Sequence, residues 1–289
     1  MAEKIMRIDC HSHLYPLAIP GWFPRNFFKR TNGYYGLELQ DLKKELWRRE
    51  AKTGIQHGIF SGTNDPRALP KLPADVYTLK RVLPLIEHHP LQLIGVFPWD
   101  QVNKFDKFMV QKTQLDGIKY IADNGGIAIV DQPQPIYEGR DKTNSVFLEH
   151  TGEATVDELK SLTDKQKTRT FLCYDGIMPP VYMPPFTNFH KKAEELSDLT
   201  GLKLFGGSDT ILRSSSLYTT YNNAPINDIR DIIDDPSLVG QIHKGSMPLW
   251  RMERYQRMIA AADEEFRMGL ETREAAHTRM IDGYLSKSQ

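Results

Sequence analysis

Short apolar runs alternate along the chain with longer stretches in which apolar residues recur every three or four positions. Ile5 to Cys10 reads as a first strand. Leu39 to Lys52 carries Leu39, Leu42, Leu46 and Trp47 at helical spacing and predicts a helix. Residues 54–62 predict a second strand with its exit loop, Asp75 to Glu87 a helix, and Leu91 to Phe97 a third strand. Phe105 to Asn124 predicts one helix, stopped by Gly125-Gly126. Ile127 to Val130, Ser145 to Leu148 and Thr170 to Tyr174 predict further strands. Asn188 to Leu199 predicts a helix stopped by Gly201, and Leu202 to Phe205 a last strand before Gly206-Gly207-Ser208-Asp209. Residues 16–38, rich in Pro, Gly and aromatics, predict a loop lying over a site.

About seven strands alternating with helices predict an α/β fold, and specifically a distorted TIM-like (β/α)7 barrel. A doubly wound open sheet ranks second, because no Gly-rich dinucleotide fingerprint follows a strand. Beyond Ser246 the pattern changes to Arg, Glu, Ala and Met, with Met252, Tyr255, Ile259, Ala262 and Phe266 stepping by three or four. The expected organisation is a barrel over residues 1–245 and a C-terminal helical extension over 246–289. That extension either packs on the barrel or mediates a homo-oligomer.

Composition narrows the partners. Hydrophobic residues make up 40% and charged residues 26% of the 289, enough to bury a large core. Lys plus Arg and Asp plus Glu are both 37, which gives no support for bulk attraction to nucleic acid or an anionic membrane. The expected partner is a small molecule such as a phosphate ester. Cys10 and Cys173 make no disulfide framework and read as buried free thiols. The first nine residues lack an apolar h-region, and no apolar run approaches the ~20 residues of a membrane span, so a cytoplasmic protein is expected.

Asp9-Cys10-His11-Ser12-His13 is the most informative stretch. On a regular strand His11 and His13 share a face, and at the C-terminal mouth of a barrel two neutral imidazoles can grip one divalent ion. The plainer alternative is a pair of polar side chains satisfied by water or backbone. By the same alternation Cys10 and His11 should face opposite ways, which argues against a thiol–imidazole dyad. Asp209, directly after the last strand, is placed as a carboxylate ligand or a base, or else as a helix cap. His150, after the Ser145 to Leu148 strand, is a third candidate ligand. Asp131 and Asp175 occupy equivalent mouth positions and would serve equally as loop caps. Arg213 and Ser214-Ser215-Ser216 offer donors for phosphate oxygens. His57 reads as a hydrogen-bonded core residue, and His88 and His89 as a solvated turn.

Together these residues resemble the PHP superfamily of metal-dependent phosphoesterases. Arg7 to His13 is similar to its first motif, and Asp123 to Pro133 to its helix, Gly-Gly, strand, His-Pro segment. Thr170 to Gly176 resembles a strand ending in Tyr-Asn-Gly, and Asn188 to Asp209 the closing helix, strand and Gly-Ser-Asp. The resemblance spans about residues 5 to 212 and implies a distorted (β/α)7 barrel that hydrolyses phosphate esters with two or three ions, often zinc, manganese or iron. Gln132 and Ile211 stand where that family has histidines, and its Thr-Asp-His motif is not recognisable in Phe60 to Asp65. The expected cofactor is therefore one divalent ion rather than three.

The resulting expectation is a metal-dependent hydrolase. His11, His13, Asp209 and His150 are its metal ligands, Asp209 and His150 its catalytic residues, and Tyr15 and Arg213 its substrate-binding side chains. Two alternatives stay open. The amidohydrolase superfamily, including its decarboxylase-like branch and TatD-type deoxyribonucleases, shares the His-x-His opening. A degenerate barrel without metal would act instead as a non-catalytic binding or assembly protein.

Overall fold

Alternation along the strands organises the molecule: odd and even positions of the same strand enter two different cores. The computed structural model describes residues 5–13, 17–18, 34–35, 39–63, 80–88, 91–101, 103–131, 133, 135, 152–175, 189–208 and 220–245. Its strands are β1 (Met6–His13), β2 (Leu17–Ala18), β3 (Tyr34–Tyr35), β4 (Gln56–Thr63), β5 (Val82–His88) and β6 (Leu93–Val96). They continue as β7 (Ile127–Val130), β8 (Thr170–Asp175), β9 (Lys203–Gly207), β10 (Tyr221–Ala224) and β11 (Ile242–His243). Among the described residues, nine of these form one nearly closed, barrel-shaped sheet in the order β11-β10-β1-β4-β5-β6-β7-β8-β9, while β2 pairs with β3 alone.

Inside the barrel lie Met6, Ile8 and Cys10 of β1, Phe60 of β4, Leu83 and Leu85 of β5, and their counterparts through Phe205 of β9. The opposite positions, such as Ile59, Ile86, Leu93, Val130 and Leu172, pack outward against helix residues Leu42, Leu46, Phe108, Ile121 and Leu196. The helices behind these contacts are Leu39–Thr53, Asn103–Met109, Gln114–Asp123, Val156–Lys160, Asp164–Thr168 and Phe189–Thr200. Two of the short ones are fixed by capping boxes, Thr155 with Glu158 and Thr163 with Gln166.

β1, β4 and β5 are parallel, β6 runs against both β5 and β7, and β7, β8 and β9 are parallel. With β11, which runs against β10 as β10 runs against β1, seven strands of the sheet thus end at one rim. The seam between β9 and the β1–β10 pair is closed by side chains. Asn222 Oδ1 accepts from Gly206 N at 2.7 Å, and its Nδ2 donates to Gly240 O at 2.8 Å and Leu204 O at 3.3 Å. Gly206 permits this approach, since a Cβ there would lie 2.6 Å from Tyr221 N.

The structure departs from the sequence reading in identifiable places. Residues 82–88, expected at the end of a helix, form β5, buried along its whole length. A strand covered on both faces carries no polar alternation, so periodicity could not separate it from a buried helix. The single helix expected over 105–124 is two, broken at residues 110–113, where Thr113 caps the second by accepting from Asp116 N. Gly125 (φ +80°) and Gly201 (φ +75°) terminate helices as expected. His88 is no solvated turn residue: it is buried, and its Nε2 lies 3.1 Å from Met109 O. An all-parallel strand–helix repeat is also not what forms, because β5, β6 and β7 are neighbours in antiparallel order. The Ser145 to Leu148 strand and the 246–289 extension lie outside the described residues. No helix among the described residues is long and apolar enough to cross a membrane.

Candidate metal centre

The rim where these seven strands end begins with an irregularity in β1. Asp9 pairs with Ile59 and Ser12 with Ser61, so Cys10 and His11 together oppose Phe60 alone. This is a β-bulge, and it breaks the alternation on which the sequence reading relied. Cys10 remains in the inner core, and His11 turns toward the same neighbour. Cys173 Sγ on β8 lies 4.0 Å from Cys10 Sγ and 4.0 Å from His11 Nδ1. The expected opposition of Cys10 and His11 is therefore corrected.

The bulge is held on both sides. Asp9 Oδ1 accepts from His11 N at 3.2 Å and from Ser208 N at 3.0 Å, tying the distortion to the end of β9. Ser208 Oγ donates to His11 O at 3.4 Å. Ser12 Oγ donates to Ser61 Oγ at 2.7 Å, fastening the next residue to β4. His11 is thus placed by backbone, not only by its own packing.

Asp131 enters from the end of β7. Ile127 and Ile129 point inward, and continuing that alternation aims residue 131 inward as well. Its N–H donates to Gln92 O at 2.9 Å. Gln92 has a positive φ of 46°, and the buried Gln114 Nε2 donates to both Leu91 O (2.7 Å) and Gln92 O (3.2 Å). One side chain therefore braces the turn that positions Asp131.

His11, Asp131 and Cys173 are buried, and their ligand atoms all lie within 4.8 Å of one another. His11 Nδ1 is 3.7 Å from Asp131 Oδ1 and 4.0 Å from Cys173 Sγ. A tetrahedral ion with arms of about 2.0–2.3 Å separates its ligands by roughly 3.3–3.8 Å, close to these spacings. The donors fit: imidazole, carboxylate and thiol together suit zinc or iron better than magnesium or calcium. Gly207 supplies the room, because a Cβ there would fall 2.8 Å from His11 Cβ, 3.1 Å from Cys173 Sγ and 3.3 Å from Cys10 Sγ. Beneath the group, Phe205 packs against Phe60 (5.3 Å between ring centroids) and Phe171 (5.1 Å), sealing the floor with aromatic surface.

Of the residues expected at the site, His11 belongs to this group. His13 ends β1 opposite Gly62. Asp209, His150, Arg213 and Tyr15 lie outside the described residues. Asp131, weighed against a cap role in the sequence, belongs to the group. Cys173 was expected only as a buried thiol; it is buried and in no disulfide, and it also faces the histidine. Glu87 was missed because its strand was read as a helix. It is buried and follows Leu83 and Leu85 on the inward face of β5, at the same rim. The residue order Leu83-Pro84-Leu85-Ile86-Glu87 carried the signal, since a helix interior rejects the proline.

His57 plays the core role expected of it. Its Nδ1 donates to Ile55 O at 2.9 Å. Burial holds its pKa down to about 4, helped by the nearby charges of Arg49, Arg7 and Arg81 and opposed by the bond to Ile55.

Scanned against models of protein families, curated proteins and solved structures, the chain matches none, so the functional reading rests on the site itself.

Proposed function

We propose that the chain is a metal-dependent hydrolase of the PHP kind, a phosphoesterase on a distorted (β/α)-type barrel that uses metal-activated water. The observation that carries this is the convergence of His11, Asp131 and Cys173 at the rim where seven strands end. Catalytic groups of such barrels gather at the C-terminal ends of the strands. The resemblance of residues 7–13, 123–133 and 188–209 to PHP motifs points the same way.

His11, Asp131 and Cys173 would hold one divalent ion. When bound, the ion supplies Lewis acidity, making water a nucleophile near neutral pH and stabilising charge that develops on phosphate oxygens. The rest is done by the chain. The bulge pinned by Asp9 orients the His11 imidazole, and the Gln114 brace sets the direction of Asp131. The Phe60–Phe171–Phe205 layer excludes water from below, so approach is from the rim. Asp209 and His150 are proposed as rim groups that take and return protons, with His13 as a further ligand. Arg213 and Tyr15 are proposed to hold the substrate's phosphate end.

Elemental analysis of protein purified without chelator tests the reading, alongside His11→Ala/His13→Ala and Asp131→Asn. Roughly one zinc or iron per chain is expected, lost in both variants, with hydrolysis of p-nitrophenyl phosphate falling at least ~100-fold. Wild-type hydrolysis by the double histidine variant would sink the site. No bound metal after incubation with zinc, manganese and iron would favour a non-catalytic binding barrel.

A further inference from the structure

The metal-centre reading uses one of the two cysteines and leaves Cys10 unexplained. Cys10 and Cys173 are far apart in sequence, on β1 and β8, yet their sulfurs are 4.0 Å apart inside the barrel. Cys10 is kept there by the alternation of β1 that also turns Met6 and Ile8 inward, and its Sγ donates to Phe205 O at 3.4 Å. Cys173 is the sulfur that faces His11 Nδ1. One thiol is thus a candidate ligand, and the second stands 4.0 Å from it. The glycine at position 207 leaves open the space beside both sulfurs that any side chain would fill.

We propose that Cys10 and Cys173 are a redox-responsive pair, oxidised by peroxide to a disulfide that expels the ion held by His11, Asp131 and Cys173. This rests on the metal-centre reading above. The Cys173 thiolate attacks one peroxide oxygen, the O–O bond breaks, and hydroxide leaves and takes a proton to become water. The sulfenic acid so formed is attacked by Cys10 sulfur; the S–S bond forms, the S–O bond breaks, and a second water leaves with the Cys10 proton. Two thiols lose two electrons, and one peroxide is reduced to two waters. A disulfide requires the sulfurs to close from 4.0 Å to about 2.05 Å, and the glycine at position 207 leaves space beside both for that movement. A disulfide sulfur no longer offers a thiolate, so the ion loses the one sulfur among its proposed ligands and is released. Peroxide is close in size to the water and smaller than the ester that the proposed reaction must admit, so the route to the site serves it as well.

The test uses the whole chain loaded with zinc. Zinc per chain is read first, and hydrogen peroxide is then added with a chromogenic chelator present. Thiols are counted after denaturation, and peptides are mapped by mass spectrometry without reduction. The expected result is loss of bound zinc together with a Cys10–Cys173 linked peptide, both reversed by dithiothreitol and added zinc. Cys10→Ser and Cys10→Ala should bind zinc like the wild type and yield no linked peptide. Zinc that stays bound with both thiols intact after peroxide would overturn the inference while leaving the metal reading standing. So would reversible zinc release from the Cys10 variants identical to that of the wild type. A chain that holds no zinc before peroxide would overturn both, a distinct outcome because stoichiometry is read first.

Discussion

A single methyl group at position 207 probes the packing of the centre. Built on the Gly207 backbone, a Cβ meets His11 Cβ at 2.8 Å, Cys173 Sγ at 3.1 Å and Cys10 Sγ at 3.3 Å. Carbon atoms prefer about 3.5–4.0 Å, so the first contact is short by roughly 0.7 Å or more. The sulfurs can rotate aside, but His11 Cβ cannot, because Asp9 and Ser208 hold that backbone. Overpacking of this kind costs about 1–3 kcal/mol. Two terms temper it: Gly207 does not have a positive φ, so alanine suffers no backbone strain, and stiffening the unfolded chain returns about 0.4–1 kcal/mol. The net expectation for Gly207→Ala is a loss on the order of 1–2 kcal/mol, with zinc binding abolished. Urea unfolding should show a lower midpoint at unchanged slope. Gly201→Ala is the contrast: nothing lies within 4 Å of its Cβ, but its φ of +75° is unfavourable for alanine, so stability falls while zinc binding persists. A Gly207→Ala protein as stable as the wild type and fully able to bind zinc would refute the close approach of β9 to the bulge and β8.

Three further outcomes follow from the geometry. His57 is held near a pKa of about 4 against an ordinary 6.5, so between these values the unfolded chain binds the proton that the fold refuses. The stabilisation is therefore complete above about pH 6.5 and is lost as pH falls toward 4, by about 3 kcal/mol in all; His57→Asn should flatten the slope of unfolding free energy in this window, and an unchanged slope would contradict the assignment. Asn222→Ala strips the partners of Gly206 N, Leu204 O and Gly240 O and should cost about 2–4 kcal/mol, with amide exchange at Gly206 accelerating most; an unaltered Gly206 exchange rate would mean the seam closes another way. Gln114→Ala frees Leu91 O and Ala154 N inside the protein and should cost about 1–3 kcal/mol; it should also weaken zinc binding through the Gln92 turn, so unchanged zinc affinity would remove Gln114 from the support of Asp131.

The sequence alone determined the elements whose signals are local. Short apolar runs marked β1, β7, β8 and β9, and helical spacing marked Leu39–Thr53 and Phe189–Thr200. The position of His11 at the end of β1 was legible for the same reason: a polar pair follows an apolar run directly. Tertiary structure decided the rest. β5 and its Glu87 were hidden because burial on both faces erases the period that separates strand from helix. The bulge at Cys10 and His11 arises from pairing with β4 and from the grip of Asp9 on β9, neither of which is written in the order of residues 9–13. Gly206 and Gly207 were legible as glycines that end the last strand and leave room at the site, but that one lets β9 approach β10 and the other clears the space between three strands was decided by the fold. Asp131 and Cys173 reach His11 only when the sheet curls toward closure and brings β7 and β8 across from β1. Convergence of side chains more than a hundred residues apart is a property of that curvature, which depends on packing among all the strands and is encoded in no single one of them.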